Sequence, residues 1–329
     1  QNAINSLGAN WGLVKLTDGE YNLGGNIDIN RDNLQIVGSG DDNTTINILS
    51  PKVFAFNLVT IPGEPRRNIR IADLCINGMP NSYPYAGAAI AAGGAGVLEN
   101  LTIENSKIIM SNDANFGIRF KYSSGRSNNL RILNNRIKIN GLFSYGIFIS
   151  QPFDNIQIEG NSVEISTNSS NAYNAIAVYG DCTNFHVNHN NVIGRGHGSI
   201  AISPASNGEV RDNIVYASNL AEEGGIEIEA KSGHGYGTSH DVIVANNIVY
   251  DGNFGIYTHR RDTNVSIPYN IIIRGNVLNG SKTGIYLYAG KDIMVYNNLY
   301  NNCAINFKKE PGVTLKEPSS AKREWELYE

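Results

Sequence analysis

The feature that most constrains the fold is a short sequence phrase that recurs nine times along the chain. Each copy begins with Asn or Asp, continues with alternating aliphatic residues and ends near a pair such as Asn-Asn or Gly-Asn. The spacing of 22 to 34 residues is shorter than a propeller blade, and the signature of leucine-rich repeats is missing. The repeat therefore predicts a stacked solenoid. The copies start at Asn68, Asn100, Asn129, Asn155, Asn184, Asn207, Asp241, Asn270 and Asp292.

A second phrase, a small residue followed by Ile and alternating residues, accompanies most copies. Each repeat then contains about three short strands with Asn and Gly corners, and no helix long enough for a crossover. Composition agrees, since 40 Ile favour strands while 46 Asn and 35 Gly suit tight turns. We expect an all-β parallel solenoid of about ten coils, with strands stacked at about 4.8 Å. The second phrase reads GIRF at Gly117, GIFI at Gly146, AIAV at Ala175, SIAI at Ser199, GIEI at Gly225, GIYT at Gly255, GIYL at Gly284 and AINF at Ala304.

The opening of the chain carries a resemblance to a known group of folds. Residues 19–23 read GEYNL, residues 36–40 read IVGSG and residues 44–46 read TTI. With the repeats, these segments resemble the right-handed parallel β-helix of the pectate-lyase-like superfamily over about residues 10–310. The resemblance implies a single β-helix domain at 1–310, capped by a short helix at 3–7. Residues 311–329 are expected to form a C-terminal cap or tail.

The Ile of the second phrase sets the register of the coils, because side chains of a strand alternate between its two faces. If that Ile points inward, its neighbours in the strand point outward, and successive coils align them in two outward columns of side chains. Most of the ionisable and aromatic side chains in these columns lie between residues 222 and 288. We expect this patch to be the functional site. The first column reads Arg119, Phe148, Ala177, Ala201, Glu227, Tyr257, Tyr286 and Asn306, and the second reads Lys121, Ser150, Tyr179, Ser203, Glu229, His259, Tyr288 and Lys308.

Glu227 and Glu229 form the centre of the predicted site. They share one face at i, i+2, and two carboxylates this close on a half-desolvated surface are expected to have separated pKa values. Lys231 continues the same face, and His259 follows one coil later. The predicted catalytic residues are therefore Glu227, Glu229, Lys231, His259 and Arg260.

Substrate binding is assigned to side chains around this centre. The tyrosines are expected to form a flat platform for sugar rings, Arg261 lies at the strand end, and Glu223 enters from the preceding turn. The glycine-rich insertion at 232–241 is expected to arch over the groove and brings His234, Tyr236 and His240. The predicted binding residues are Tyr179, Glu223, Tyr257, Arg261, Tyr286 and Tyr288.

These residue types suit β-elimination at a uronic acid, or its C5 epimerisation. Such chemistry needs a cation at the sugar carboxylate, a base for the C5 proton and, for elimination, an acid for the leaving oxygen. The stretch EEGGIEIEAKS, followed one coil later by GIYTHRRD, resembles the family-6 polysaccharide lyases. That resemblance implies that Glu227 and Glu229 are Ca²⁺ ligands, Lys231 is the base and Arg260 is the leaving-group acid.

Two other functions remain open. Glycoside hydrolysis is possible if Glu227 and Glu229, or Glu229 and Glu223, act as acid and base, and a separation of about 6.5–9.5 Å predicts inversion. This arrangement resembles viral tailspike depolymerases. A non-catalytic module would instead hold glycan on the tyrosine platform.

The crowding of Lys231, His259, Arg260 and Arg261 around two glutamates favours an anionic polysaccharide as the partner. The net charge of −4 argues against a nucleic-acid partner, and no apolar stretch is long enough to span a membrane. We expect a monomer or a homotrimer. The first residues show no signal peptide, and the expected location is secreted, cell-surface or virion-associated.

Overall fold

The structure is a computed structural model, and it describes twelve segments of the chain. These are residues 1–8, 11–50, 53–78, 87–94, 96–111, 115–121, 125–166, 173–194, 197–218, 224–231, 237–262 and 266–317.

The chain is a right-handed parallel β-helix, which confirms the predicted fold class. Strands of successive coils pair in parallel and form two sheets in the described residues. The larger sheet, of 21 strands, consists of two long ladders that we call sheets 1 and 2, and the smaller one is sheet 3. Sheet 3 has eleven strands in the described part of the chain, close to the expected ten coils. The strands Ile176–Asn188 and Ile200–Arg211 bend and run through both sheet 1 and sheet 2.

The strand bounds follow the repeat. Sheet 1 contains Ile27–Ile29, Phe54–Val59, Gly87–Gly93, Asn115–Lys121, Tyr145–Ser150, Ile226–Lys231, Phe254–Arg260, Thr283–Leu287 and Ile305–Lys309, besides the two bent strands. Sheet 2 contains Gly12–Lys15, Leu34–Val37, Arg66–Ala72, Leu98–Glu104, Ser127–Leu133, Phe153–Glu159, His240–Ala245, Tyr269–Arg274 and Met294–Tyr296. Sheet 3 contains Gly19–Leu23, Thr44–Ile48, Cys75–Gly78, Lys107–Ser111, Arg136–Asn140, Ser162–Ile165, Asn191–Ile193, Ile214–Tyr216, Ile248–Tyr250, Val277–Asn279 and Leu299–Asn301. The two-residue strand Gly237–Thr238 pairs antiparallel with the end of Ile226–Lys231.

The Asn residues of the repeat have two separate structural roles. The first residue of each copy has a φ between 52° and 58°, the left-handed conformation that Asn and Asp adopt more readily than other side chains. In the copies from Asn129 onward, the residue six positions after the first is an Asn that is half-buried or buried and joins a column of amides, here called the Asn ladder. Each ladder side chain forms hydrogen bonds with the backbone and with a neighbouring ladder amide. The polar groups of the turn between sheets 2 and 3 therefore find their hydrogen-bond partners within the protein. The ladder consists of Asn135, Asn161, Asn190, Asn213, Asn247, Asn276 and Asn298.

The core is a continuous stack of aliphatic side chains inside the three sheets. Ile226, Ile228 and Ile256 are completely buried in it, as the inward position of the second phrase predicts. A Cβ on Gly255 would lie 2.6 Å from the carbonyl oxygen of Gly284, which explains why this phrase favours small residues at its start. The alternation therefore places Glu227 and Glu229 on the outer face of sheet 1.

Both described ends of the solenoid are covered. The helix Asn2–Asn5 buries Ile4 against the first coil, as the sequence predicts. At the other end, Val313 is buried in the core, and Leu315 forms a β-bridge with Ile293. Residues 311–317 thus pack on the last coil, whereas the rest of the predicted tail lies outside the described residues. No helix in the described ranges is long and apolar enough to cross a membrane.

The predicted register is wrong in the last coil. Tyr286 pairs with Lys308 rather than Asn306, and Ile285 pairs with Phe307 rather than Ile305. The same number of residues separates Tyr300 from Phe307 as Leu278 from Ile285, and Leu278 pairs with Tyr300. Because the two connections have equal length, Phe307 rather than Ile305 continues the column of Ile285.

Candidate functional site on sheet 1

Glu227 and Glu229 lie side by side on the outer face of the strand Ile226–Lys231. The next strand, Phe254–Arg260, places Tyr257 beside Glu227 and His259 beside Glu229. The predicted register of this patch is thus correct. We call the side chains of Glu227, Glu229, His259 and Arg261 the ionic cluster.

The ionic cluster is held by charge-assisted hydrogen bonds. His259 Nε2 bonds Glu227 Oε1 and lies 3.2 Å from Glu229 Oε2. Arg261 donates from Nε to Glu229 Oε2 at 2.6 Å and from Nη2 to Glu227 Oε1 at 3.4 Å. Each cation therefore contacts both carboxylates, and the cluster closes on itself.

Burial and charge set the protonation states in the cluster. Both glutamates are 0% exposed. Burial by itself would raise the pKa of Glu229, but the hydrogen bond with His259 and the charge of Arg261 lower the pKa to about 2. Burial would likewise lower the pKa of His259, but its bonds to Glu227 and Glu229 raise it to about 9. At neutral pH, Glu229 is therefore ionised and His259 is a cation.

The cations, unlike the carboxylates, reach the surface. The side chain of Arg261 is 27% exposed, and Lys231 is partly exposed with Nζ 5.9 Å from the centroid of the Tyr179 ring. The charge of Lys231 also contributes to the low pKa of Glu229. The outer surface at this point is thus cationic above a buried pair of carboxylates.

The structure separates the two arginines that the sequence places together. Arg261 folds over the glutamates, whereas the predicted acid Arg260 is exposed and follows His259 on the opposite side of its strand. Within the described ranges, Arg260 has no ion pair with either glutamate. Glu223 and residues 232–236 of the insertion, including His234 and Tyr236, lie outside the described residues. His240 lies in sheet 2, where it bonds Asp241 and stacks on Tyr269.

The tyrosines do not form the flat platform expected from the sequence. Tyr179 is 3% exposed, and its hydroxyl bonds Asn174. Tyr257 and Tyr286 stack with centroids 5.4 Å apart and an interplanar angle of 16°, so their faces cover each other. Tyr288 is 50% exposed and meets Tyr286 edge to face. Coils in register stack their aromatic rings along the axis, which leaves edges rather than faces toward solvent.

An outer aromatic cluster that sequence reasoning missed lies next to the ionic cluster. Phe116, Tyr145 and Tyr173 stack face to face, with centroid separations of 5.5 and 4.9 Å. Burial raises the pKa of Tyr145, and the charges of Tyr173 and Glu229 add to this rise. The aromatic residue just before Gly117 and Gly146 was the available signal in the sequence.

The distance between the carboxylates bears on the hydrolytic alternative. One oxygen of Glu227, one of Glu229 and a ring nitrogen of His259 all lie within 4.8 Å of one another. Inverting glycosidases keep their carboxyl groups about 6.5–9.5 Å apart to admit a water molecule. Glu227 and Glu229 are too close and too covered for that arrangement, so the inverting mechanism expected for this pair does not fit.

The donor set does not fit the Ca²⁺ ion that the lyase resemblance implies. Calcium requires six to eight oxygen ligands. In the described part of the chain, the cluster offers two carboxylates whose charges are already balanced by His259 and Arg261, and one oxygen, Glu229 Oε1, that has no hydrogen-bond partner. Binding calcium would require release of both cations.

The raised pKa of His259 predicts a pH-dependent stability. Its folded pKa of about 9 exceeds the ordinary value of 6.5, so the stabilisation is fully present below pH 6.5 and is lost as pH rises through 9. We expect the free energy of unfolding to fall by about 3 kcal/mol between these limits. Urea denaturation at pH 6 and pH 9.5 measures this difference. In His259→Gln the same comparison is expected to give a much smaller change, and an equal change in both proteins contradicts the prediction.

Comparisons with known proteins agree on the fold. No model of a protein family matches the sequence, and no curated protein sequence is significantly similar to it. Among solved structures, DFA-IIIase from Arthrobacter chlorophenolicus A6, in complex with GF2, is 14% identical with a TM-score of 0.64, covering 93% of this chain and 82% of that one. PfbA, a surface adhesin of Streptococcus pneumoniae, is 14% identical with a TM-score of 0.58, covering 94% and 88%.

A third structure has the same architecture. The catalytic domain of a GH87 alpha-1,3-glucanase, in complex with tetrasaccharides, is 15% identical with a TM-score of 0.55. The match covers 92% of this chain and 63% of that one. This protein therefore shares the right-handed parallel β-helix fold of these structures, which include a glucanase catalytic domain and a surface adhesin.

Proposed function

We propose that this protein binds an acidic polysaccharide at the ionic cluster and modifies it at a uronic-acid residue. The observation that carries the proposal is the buried glutamate pair, which fixes His259 and Arg261 as cations on the outer face of sheet 1. The carbohydrate ligands of two solved structures with this fold support a sugar substrate.

The charge arrangement favours an anionic substrate. The glutamates are covered, so a ligand meets Arg261, Lys231 and the edge of His259 before it meets a carboxylate. A guanidinium held by carboxylates in a fixed orientation is preorganised to bind the carboxylate of a uronic acid. Glu227 and Glu229 are accordingly positioning residues in this proposal.

The proposed reaction is β-elimination or C5 epimerisation. Arg261 neutralises the uronate carboxylate, which acidifies the C5 proton, and the amine of Lys231 in its uncharged form accepts that proton. In elimination, the C5–H electron pair forms the C4–C5 double bond while the C4–O bond breaks, and the leaving oxygen takes a proton from His259. In epimerisation, C5 instead takes a proton from water on the opposite face of the ring, and no glycosidic bond breaks.

The second candidate is glycan binding without turnover. It is favoured by the burial of both carboxylates, which leaves neither available as a base for substrate. A panel of polygalacturonate, alginate and hyaluronan distinguishes the functions. Elimination gives an unsaturated product that absorbs ultraviolet light, epimerisation changes the sugar composition, hydrolysis gives reducing ends without new absorbance, and a binding module leaves each polymer intact.

The adjacent arginines provide a matched pair of variants. We expect Arg261→Gln to lower the rate of product formation at least 100-fold, because the cation opposite the developing negative charge is lost. Arg260→Gln removes the same charge from the exposed neighbour and is expected to change the rate less than threefold. Initial rates of the wild type and both variants on the active polymer measure the difference. A larger loss in Arg260→Gln would support the sequence-based assignment instead.

A further inference from the structure

We propose that sheet 2 carries a second ligand site, a groove for a hydroxyl-rich acidic glycan strand. The groove has a volume of about 570 Å³ and lies on the outer face of four successive coils. Its lining is mainly amide and basic, and it includes Asn129, Asn184, Arg131, Gln157 and His186. Among the described residues, the imidazole of His186 is the one aromatic ring that lines it.

The register arranges the lining groups as a regular row. Thr102 pairs with Arg131, Arg131 with Gln157, and Gln157 with His186. A second row, of Asn side chains, runs beside it, one from each coil. Successive coils repeat at about 4.8 Å, close to the length of one sugar unit in a polysaccharide. Amides both donate and accept, which suits the paired hydroxyls of a sugar ring.

The Asn row has unused hydrogen-bonding capacity at the groove. At the start of the row, Asn100 donates to Asn68 and Asn129 donates to Asn100, each at 2.8 Å. Asn155 then donates to Asn128 instead, at 2.7 Å, so the row is interrupted. Among the described residues, the side-chain oxygen of Asn129 accepts no hydrogen bond. The interruption leaves amide groups available to a ligand.

Arg131 adds a positive charge without a neutralising partner. It donates from Nε to Gln157 Oε1 at 3.3 Å, but no carboxylate of the described ranges lies within ion-pair distance of its guanidinium. Elsewhere on sheet 2, Arg211 pairs with Glu209 at 2.6 Å. A partly solvated guanidinium among amides favours a ligand that carries both hydroxyls and an anionic group.

The groove is separate from the ionic cluster, since one lies on sheet 2 and the other on sheet 1. The inference therefore does not rest on the proposed reaction. A second site on a different face would hold the polymer without taking part in its chemistry.

The test is affinity electrophoresis of the whole protein through native gels containing polygalacturonate, alginate or hyaluronan, with neutral dextran as control. We expect at least one acidic polymer to retard the wild type and Arg131→Gln to weaken that binding about tenfold. Arg274→Gln is the matched control. It removes the same charge from the same sheet outside the groove, and its binding is expected to be unchanged. Thr102→Val, which keeps the side-chain shape, is expected to weaken binding severalfold.

Three results would overturn the proposal. The first is that none of the acidic polymers retards the wild type. The second is that Arg131→Gln binds as tightly as the wild type. The third is that Arg274→Gln loses as much affinity as Arg131→Gln. The last result would mean that retardation reflects overall charge. Circular dichroism and melting of each variant confirm that the compared proteins are folded.

Discussion

Glu229→Gln is expected to lower the free energy of unfolding by about 3–5 kcal/mol, because it removes a completely buried charge and leaves His259 and Arg261 with half of their compensating charge. Glu229 is completely covered and bonds both His259 and Arg261. Glutamine has the same shape, so the loss reports charge rather than packing. Urea denaturation at pH 6, where His259 is a cation, measures the effect. The activity on the polymer is expected to fall as well, because Arg261 loses its anchor.

Glu209→Gln provides the matched control on sheet 2. Glu209 also contacts a histidine and an arginine, His186 at 2.9 Å and Arg211 at 2.6 Å, but its side chain is 23% exposed. Water and salt screen a partly exposed ion pair, so this variant is expected to lower the free energy of unfolding by about 1 kcal/mol or less. Equal losses in Glu209→Gln and Glu229→Gln would show that burial does not set the strength of the ionic cluster.

Asn213→Ala is expected to lower the free energy of unfolding by about 3–4 kcal/mol, which is a loss of similar size. The Asn213 side chain accepts from the backbone and the amide of Asn190 and donates to Val187 O and Asn247 Oδ1. Alanine removes all four bonds and leaves buried backbone groups unsatisfied. Thermal and urea denaturation measure the change.

Asn298→Ala tests the same substitution at the end of the Asn ladder. Asn298 accepts from Asn276 and donates to two carbonyl groups, but it is only half-buried. Water replaces part of what is lost, so we expect a cost of about 1 kcal/mol. If Asn298→Ala destabilises as much as Asn213→Ala, the ladder bonds are not the source of the stability.

The sequence was sufficient to predict the fold and most of the register. Inward Ile residues and left-handed Asn residues recur because each coil must make the same turn, and a repeated local requirement is visible as a repeated phrase. The same periodicity correctly placed His259 beside Glu229. It failed after Tyr300, where matching Ile305 to Ile285 ignored the equal length of the two connections.

The burial of the candidate site could not be predicted from the alternation of side chains along the strands. Alternation determines which face of a strand a side chain occupies, whereas burial depends on what folds over that face. Arg261 covers the glutamates from beyond the strand end, and the aromatic cluster around Tyr145 comes from coils distant in sequence. The sequence therefore placed the carboxylates correctly but predicted a half-desolvated pair, whereas both are completely buried.

One feature of the coils bears on how such a protein can diversify. Val215 and Val249 are paired neighbours, as are Ile226 and Ile256, yet the connection from Val215 to Ile226 is four residues longer than that from Val249 to Ile256. Each strand thus keeps its paired neighbours while the connection between two successive strands changes length. Insertions can accumulate there over evolutionary time without disturbing the frame that orients the charges. A new ligand preference can therefore arise by remodelling connections alone.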